Sequence, residues 1–201
     1  MKKIFVLWYL SVFILILGFN SRAAAQQSGR ETFTGTVLSY GSGFNTRTTT
    51  GTFTLRINGQ TSSQQTQRLL GVLQEGGQDD LLRSIRNEDL GSFSVGAQVG
   101  PRLNVVHESM VDGRRRIFAV FERWTQFAEL RGGYRSLDYP FGVIELYIDP
   151  RTGKGEGTYI AAAKIRWATD RKTGQSQVEI ENFATYPARL LGVIQRGNRR
   201  S

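Results

Sequence analysis

The chain of 201 residues has no cysteine and a single histidine, His107. Without cysteine there is no disulfide framework and no thiol to carry a lipid anchor, so a buried core must hold the fold. The usual zinc sites rich in histidine or cysteine are excluded for the same reason, since each needs several such ligands. A Ser-His-Asp hydrolase would have to use His107 as its base, yet no G-x-S-x-G elbow accompanies it, and GSG at 41–43 falls short. His107 stands beside Glu108 in a strand-like run, where an ordinary hydrogen-bonded or surface histidine accounts for it. The glycines at 41–43 and 153–157 match neither G-x-G-x-x-G nor G-x-x-x-x-G-K-[ST], which leaves no nucleotide loop. Asp149-Pro150-Arg151-Thr152-Gly153 has arginine where a calcium loop wants acids and reads as a hairpin turn. The residues therefore imply no metal and no cofactor.

What the chain does have begins at its first residues. Lys2 and Lys3 precede an apolar run from Ile4 to Phe19, and Ala23-Ala24-Ala25 follows. Charge, apolar stretch and small-residue exit in that order describe a secretory signal peptide, residues 1–25, with Gln26 as the mature start. The run is shorter than the roughly 20 apolar residues of a spanning helix, and no second one follows, so no membrane span is expected after cleavage. The expected destination is the periplasm or the extracellular medium. Losing Lys2, Lys3 and Arg22 from 26 basic residues leaves 23 against 17 acids, a net charge of +6. Such a surface favours an anionic partner, in an exported protein an envelope component or acidic glycan rather than nucleic acid.

Residues 26–201 read as a single mainly β domain. FTGTVLSY and GTFTLRING are two strands, the second alternating Phe53, Leu55 and Ile57 with Thr52, Thr54 and Arg56. From Thr61 the period changes. Leu69, Leu70, Val72 and Leu73 recur at helical spacing behind hydroxyl residues able to cap, and Gly76-Gly77 stops the helix. QDDLLRSIRN has acids first and arginines late, which suits the helix dipole. The expectation is a two-helix insertion, 63–75 and 79–87, within about 61–87. Strands then dominate. Asp112-Gly113 sits between RLNVVHESMV and RRRIFAVFERW, a strong hairpin signal, and VIELYID, GTYIAAAKIRW and QVEIENF follow. Apolar residues on both faces of 117–124 mark a central strand covered on two sides. The expected fold is an antiparallel β-sandwich or partly closed barrel, α+β by its insertion.

The last hairpin can be registered from parity. Tyr159, Ala161, Ala163, Ile165 and Trp167 share one face under strict alternation, and Val178 and Ile180 another. A slip of one residue inverts every side chain, so partner numbers must have an odd sum. A sum of 345 sets Ile165 against Ile180, Lys164 against Glu181 and Arg166 against Glu179. The opposite charges thus meet across the strands and support the register independently.

Two nine-residue stretches nearly coincide: RLLGVLQEG at 68–76 and RLLGVIQRG at 189–197. The first follows a cappable segment and reads as helix. The second follows Tyr186-Pro187, which favours extended backbone, and leans towards a strand at 189–195, with a terminal helix as the alternative. Their flanks do not resemble each other, so the match is not a functional repeat.

Two functional readings remain. The first is a non-enzymatic module that binds a ligand or cell-envelope component through a basic, aromatic region at 114–141: Arg114, Arg115, Arg116, Arg123, Trp124, Tyr134 and Arg135. A solvated edge that discourages aggregation is the plain alternative for these arginines. The second reading is a carboxylate-based hydrolase acting on glycans, drawing on Glu122, Glu129, Asp138 and Glu145, which needs two acids about 5–9.5 Å apart. Missing nucleophile motifs favour the first. The leader makes a direct prediction: N-terminal sequencing of exported protein returns Gln26 first, and a return of Met1 removes the signal peptide and the export reading together.

Overall fold

A computed structural model of the chain describes residues 30–41, 47–124, 135–169, 176–184 and 186–196. Among the described residues there are nine strands: β1 (Glu31–Ser39), β2 (Thr49–Ile57), β3 (Gly91–Val95), β4 (Val105–Val111), β5 (Arg114–Glu122), β6 (Phe141–Ile148), β7 (Lys154–Thr169), β8 (Ser176–Asn182) and β9 (Ala188–Arg196). Among the same residues one α-helix, α1 (Ser63–Ile85), follows β2, and a short 3-10 turn, Arg135–Asp138, precedes β6. All strands belong to one antiparallel sheet, in the order β3-β2-β1-β9-β7-β6-β5-β4, with β8 added on β7. The sheet is not closed by a ladder between its two end strands.

Turn chemistry and alternation account for most of this order. Asp112 and Gly113 both have positive φ, 50° and 74°, the mirror-image turn whose twist matches its flanking strands. It joins β4 to β5 with Val111 opposite Arg114. β7 and β8 pair with Ile165 opposite Ile180 and Arg166 opposite Glu179, the register that charge matching requires. The Arg166 guanidinium donates to both Glu179 oxygens, at 3.1 and 2.9 Å.

Strict alternation fails at one point in β7. Phe141 pairs with Ala163 but Val143 with Ile160, so two residues of β7 oppose Gly142 of β6. This bulge inverts the side-chain phase. Tyr159 accordingly packs on the inner core while Ile160, Ala163, Ile165 and Trp167 belong to the outer one. The single face running from Tyr159 to Trp167 is thus corrected to two faces. β7 also changes neighbour here, pairing with β9 up to Tyr159 and with β8 from Ala163.

Two cores lie on opposite sides of the sheet. The inner one gathers Phe33, Phe53, Leu55 and Phe93 from β1–β3 against Ile117, Phe121, Ile144 and Leu146 from β5–β6. Strands distant in the sheet order can meet this way only if the sheet folds over on itself. The outer one packs Leu73, Leu81 and Ile85 of α1 on Val120, Phe141, Val143 and Ile165. β5 contributes to both, as its two apolar faces imply.

The expected pair of helices is replaced by one bent element. Ser62 caps its start reciprocally: its hydroxyl accepts from the Gln65 N–H at 3.2 Å, and its own N–H donates to Gln65 Oε1 at 3.0 Å. Only Gly77 leaves helical backbone, at φ 71° and ψ −164°, a region essentially restricted to glycine. A single residue therefore makes the bend, and no separate turn segment divides the element. Gln65 and Leu69 before the bend line one recess with Ser84 and Ile85 after it.

The β7–β8 pair gives a test. Its hydrogen bonds to Arg166, and that residue's charge, hold the Glu179 carboxyl below its ordinary range. A depressed folded pKa contributes stability above the unfolded carboxylate range, and this is lost as pH falls through the lower folded value. Arg166→Glu should lower the melting temperature slightly in low salt at neutral pH, and adding Glu179→Arg should restore part of the loss. Both effects should shrink at high salt and in acid; a double-mutant cycle with no coupling would contradict the pairing.

Candidate functional site

The hairpin at Asp112-Gly113 sends the three consecutive arginines to two faces of β5, because side chains alternate along a strand. Arg114 and Arg116 share the outer face with Phe118 and Val120. Arg115 shares the inner face with Ile117 and Phe121. The tribasic stretch is therefore not one surface, and each guanidinium has a carboxylate partner. Arg114 lies 3.6 Å from Glu156 and 5.0 Å from the centre of the Tyr147 ring. Arg116 Nε donates to Glu145 at 2.6 Å, and the guanidinium sits over the Phe118 ring at 5.4 Å. Tyr147 donates its hydroxyl to the same glutamate at 3.1 Å. Desolvation and the Glu145 charge push that phenol above its ordinary pKa, so it remains a donor.

Arg115 is the most enclosed of the three, with 21% of its side chain exposed. It donates to both oxygens of Glu31 on β1, at 2.9 and 2.5 Å, and to both of Glu108 on β4, at 2.9 and 2.5 Å. Gln195 of β9 donates to Glu31 at 2.9 Å, and the guanidinium lies 5.9 Å from the Phe33 ring centre. Burial alone would lower its pKa, but the hydrogen bonds and charges of the two glutamates outweigh it and raise the value. Four residues from four strands thus form a polar cap on the inner core.

Arg123 holds the chain: Nε and Nη2 donate to the carbonyls of Tyr139 and Ser136, each at 2.7 Å. That ties the 3-10 turn to the end of β5. Trp124 is 63% exposed and borders a polar recess of about 360 Å³ shared with Arg86, Arg102, Asn104, Glu122 and Arg123. Arg86 clamps Glu122 there through two bonds, 3.0 and 2.9 Å. Tyr134 and the side chain of Arg135 lie outside the described residues, as does Glu129.

Among the described acids, Glu122 of β5 and Glu145 of β6 do not assemble a hydrolytic pair. Glu122 is opposite Phe141, whereas Glu145 is opposite Phe118. Four residues along adjacent strands separate them by about 13 Å, beyond the reach of a two-carboxylate mechanism. Each is also held by an arginine. Asp138 sits exposed on the 3-10 turn. Among the described residues no group of three or more His, Cys, Asp or Glu could hold a metal ion.

A different feature stands out under α1. A cleft of about 280 Å³ is lined by Leu69, Leu70 and Leu73 of α1, by Phe118 and Val120 of β5, and by Ile165, Val178 and Ile180 of β7 and β8. Its polar contributors are Thr66, His107 and Arg116. The deep residues are buried; Leu70, Phe118 and Ile180 are half-buried, and Val178 is exposed. The sequence carried a partial signal for this cleft, since β5 is apolar on both faces and must be covered outside. It carried none for the gap between cover and sheet. No protein family, characterised protein or solved structure matches the chain.

The Arg115 cap generates a prediction. Arg115→Met should leave two inward carboxylates without their cation and destabilise the fold by about 2 kcal/mol or more. Neutralising those acids as well, with Glu31→Gln and Glu108→Gln, should recover most of the loss. Urea titration reads both effects; a stable single variant would show that the cap holds nothing.

Proposed function

We propose that the protein is an exported, non-enzymatic module that binds a ligand or cell-envelope component, with the cleft beneath α1 as its site. The observation that carries this reading is the cleft itself: a mainly apolar concavity with a few convergent polar groups is where small ligands and peptide segments bind. The pairing of Arg114, Arg115 and Arg116 with carboxylates favours the cleft over the basic stretch as the point of contact. Export rests on the residue order of the first 25 positions. The partly closed barrel is the better of the two fold descriptions. All strands lie in one sheet, and the chain between β3 and β4 reaches back to β3 through a Ser92–Arg102 bridge and the Leu103 N–H bond to Gly91, 2.9 Å.

A second surface is favoured by one specific observation. Exposed Trp124 borders the same recess as Arg86 and Arg102, a pairing of ring face and cation suited to an acidic glycan. It is shallower in apolar contact and ranks behind the cleft.

The cleft reading is tested with an uncharged naphthylamine dye whose fluorescence rises on leaving water. The wild-type protein should bind it saturably at one site. Leu70→Glu, which puts a charge on the half-buried rim, should weaken binding at least tenfold with an unchanged melting temperature. Absence of saturable binding, or equal binding by the variant, would remove the cleft as the site.

A further inference from the structure

We infer that the ligand of this cleft is an extended polypeptide segment that adds as a strand to the free edge of β8; the inference rests on the cleft being the binding site. β8 pairs with β7 alone, so among the described residues its other edge has no partner strand. Alternate N–H and C=O groups along that edge face outward, a template for a further strand. The other candidate edges are partly covered. Thr61 meets β4, its N–H donating to the Val106 carbonyl at 2.7 Å and its hydroxyl accepting from the Val106 N–H at 3.0 Å. The 101–103 segment meets β3, the Phe93 N–H donating to the Pro101 carbonyl at 3.2 Å.

The side chains of β8 specify what would fit. Val178 and Ile180 project into the cleft, and Gln177, Glu179 and Glu181 project to the opposite face. A strand laid about 4.8 Å beyond β8 would set alternate side chains beside Val178 and Ile180, in the cleft that Leu70 also lines. Main-chain hydrogen bonds would supply affinity and the cleft would select apolar residues at every second position.

Charge decides against a second copy of β8 as the occupant. Antiparallel pairing about Glu179 sets that acid against itself, and pairing about Ile180 sets Glu179 against Glu181 twice. Like charges directly opposite destabilise a sheet. A segment with lysine or arginine at the intervening positions would instead meet Glu179 and Glu181. Each already accepts a bond, Glu179 from Arg166 and Glu181 from the Tyr139 hydroxyl, but a carboxylate has about four acceptor sites. Long-range steering does not favour such a segment, because the chain is itself basic, at +6 once Lys2, Lys3 and Arg22 are lost from 26 basic residues against 17 acids. Its binding would report the local site.

The test uses a seven-residue peptide alternating lysine and valine, a blocked-order peptide of the same composition, and an alternating peptide N-methylated along one edge. The wild-type protein should bind the alternating peptide at least tenfold more tightly than either control, and the peptide should displace the naphthylamine dye. Val178→Lys, a change at an exposed position, should weaken peptide binding at least tenfold. Equal binding of the N-methylated peptide, or indifference to Val178→Lys, would overturn strand addition. Dye binding without peptide binding would overturn the peptide and leave the cleft reading standing. Failure of both dye and peptide would overturn both.

Discussion

The inward guanidinium of Arg115 joins strands that no ladder of backbone hydrogen bonds connects. β1 and β5 are separated by three strands in the sheet order, yet Glu31 and Arg115 meet in a two-pronged ion pair. An open sheet whose inner face is lined by phenylalanines must cover that face, and here it does so by folding over until its two halves touch. The hydrophobic effect supplies the attraction and is non-directional. Arg115, reaching Glu31 on one side and Glu108 on the other, gives the closure an orientation at one rim. A partly buried charge of this kind is worth little against a well-packed apolar substitute, but removing one partner is costly. Of the three consecutive arginines, alike in the sequence, Arg115 is thus the most enclosed and the one that links the two halves of the sheet.

Placement of the cleft depends on two local irregularities. Gly77 bends α1 sharply enough that both of its halves reach the outer face of the sheet. The bulge in β7 changes the phase of its side chains just where the strand exchanges β9 for β8. Ile165, with Val178 and Ile180 beyond it, then faces the same space as the helix. Without the bulge, residues after 162 would present the other set of side chains to α1. The cleft is thus made by two departures from regular structure.

Much of the fold was legible in the residues. The strand runs, the Asp112-Gly113 turn, the helical period after Thr61 and the β7–β8 register follow from spacing, turn chemistry and charge, all local or pairwise. The face assignment across 159–167 was not legible, because a bulge is selected by the neighbours of both strands. Nor was the count of helices: Gly76-Gly77 signals a break, but whether the break takes one residue or a turn depends on what the two halves pack against. The candidate site was legible only as a basic, aromatic region. Adjacent numbers such as 114, 115 and 116 alternate between faces once the strand forms, so a cluster in sequence became three arginines with separate carboxylate partners. The cleft draws its lining from 66 to 180, a juxtaposition that exists only after folding.

The two near-identical stretches show the boundary between these levels. By itself the sequence determined where the first copy begins, since Ser62 and Gln65 cap it into a helix, and at the second copy it only favoured extended backbone after Tyr186-Pro187. Both copies offer leucines for burial. Tertiary structure decided which residues. In α1 the helical period buries Leu73, at 3% exposure, and turns Leu69 toward the same core. In β9 the corresponding Ile194 is 49% exposed, while Leu190 and Val193 are fully buried three positions apart. Strict alternation forbids that spacing; Gly192, at φ 57°, allows it by bulging the strand against β1. The equivalent Gly71 stays within the helix, with open space where a Cβ would lie. The same residue types adopt different backbones because each is packed against a different surface, and the free energy of that packing exceeds the small intrinsic preferences of the residues themselves.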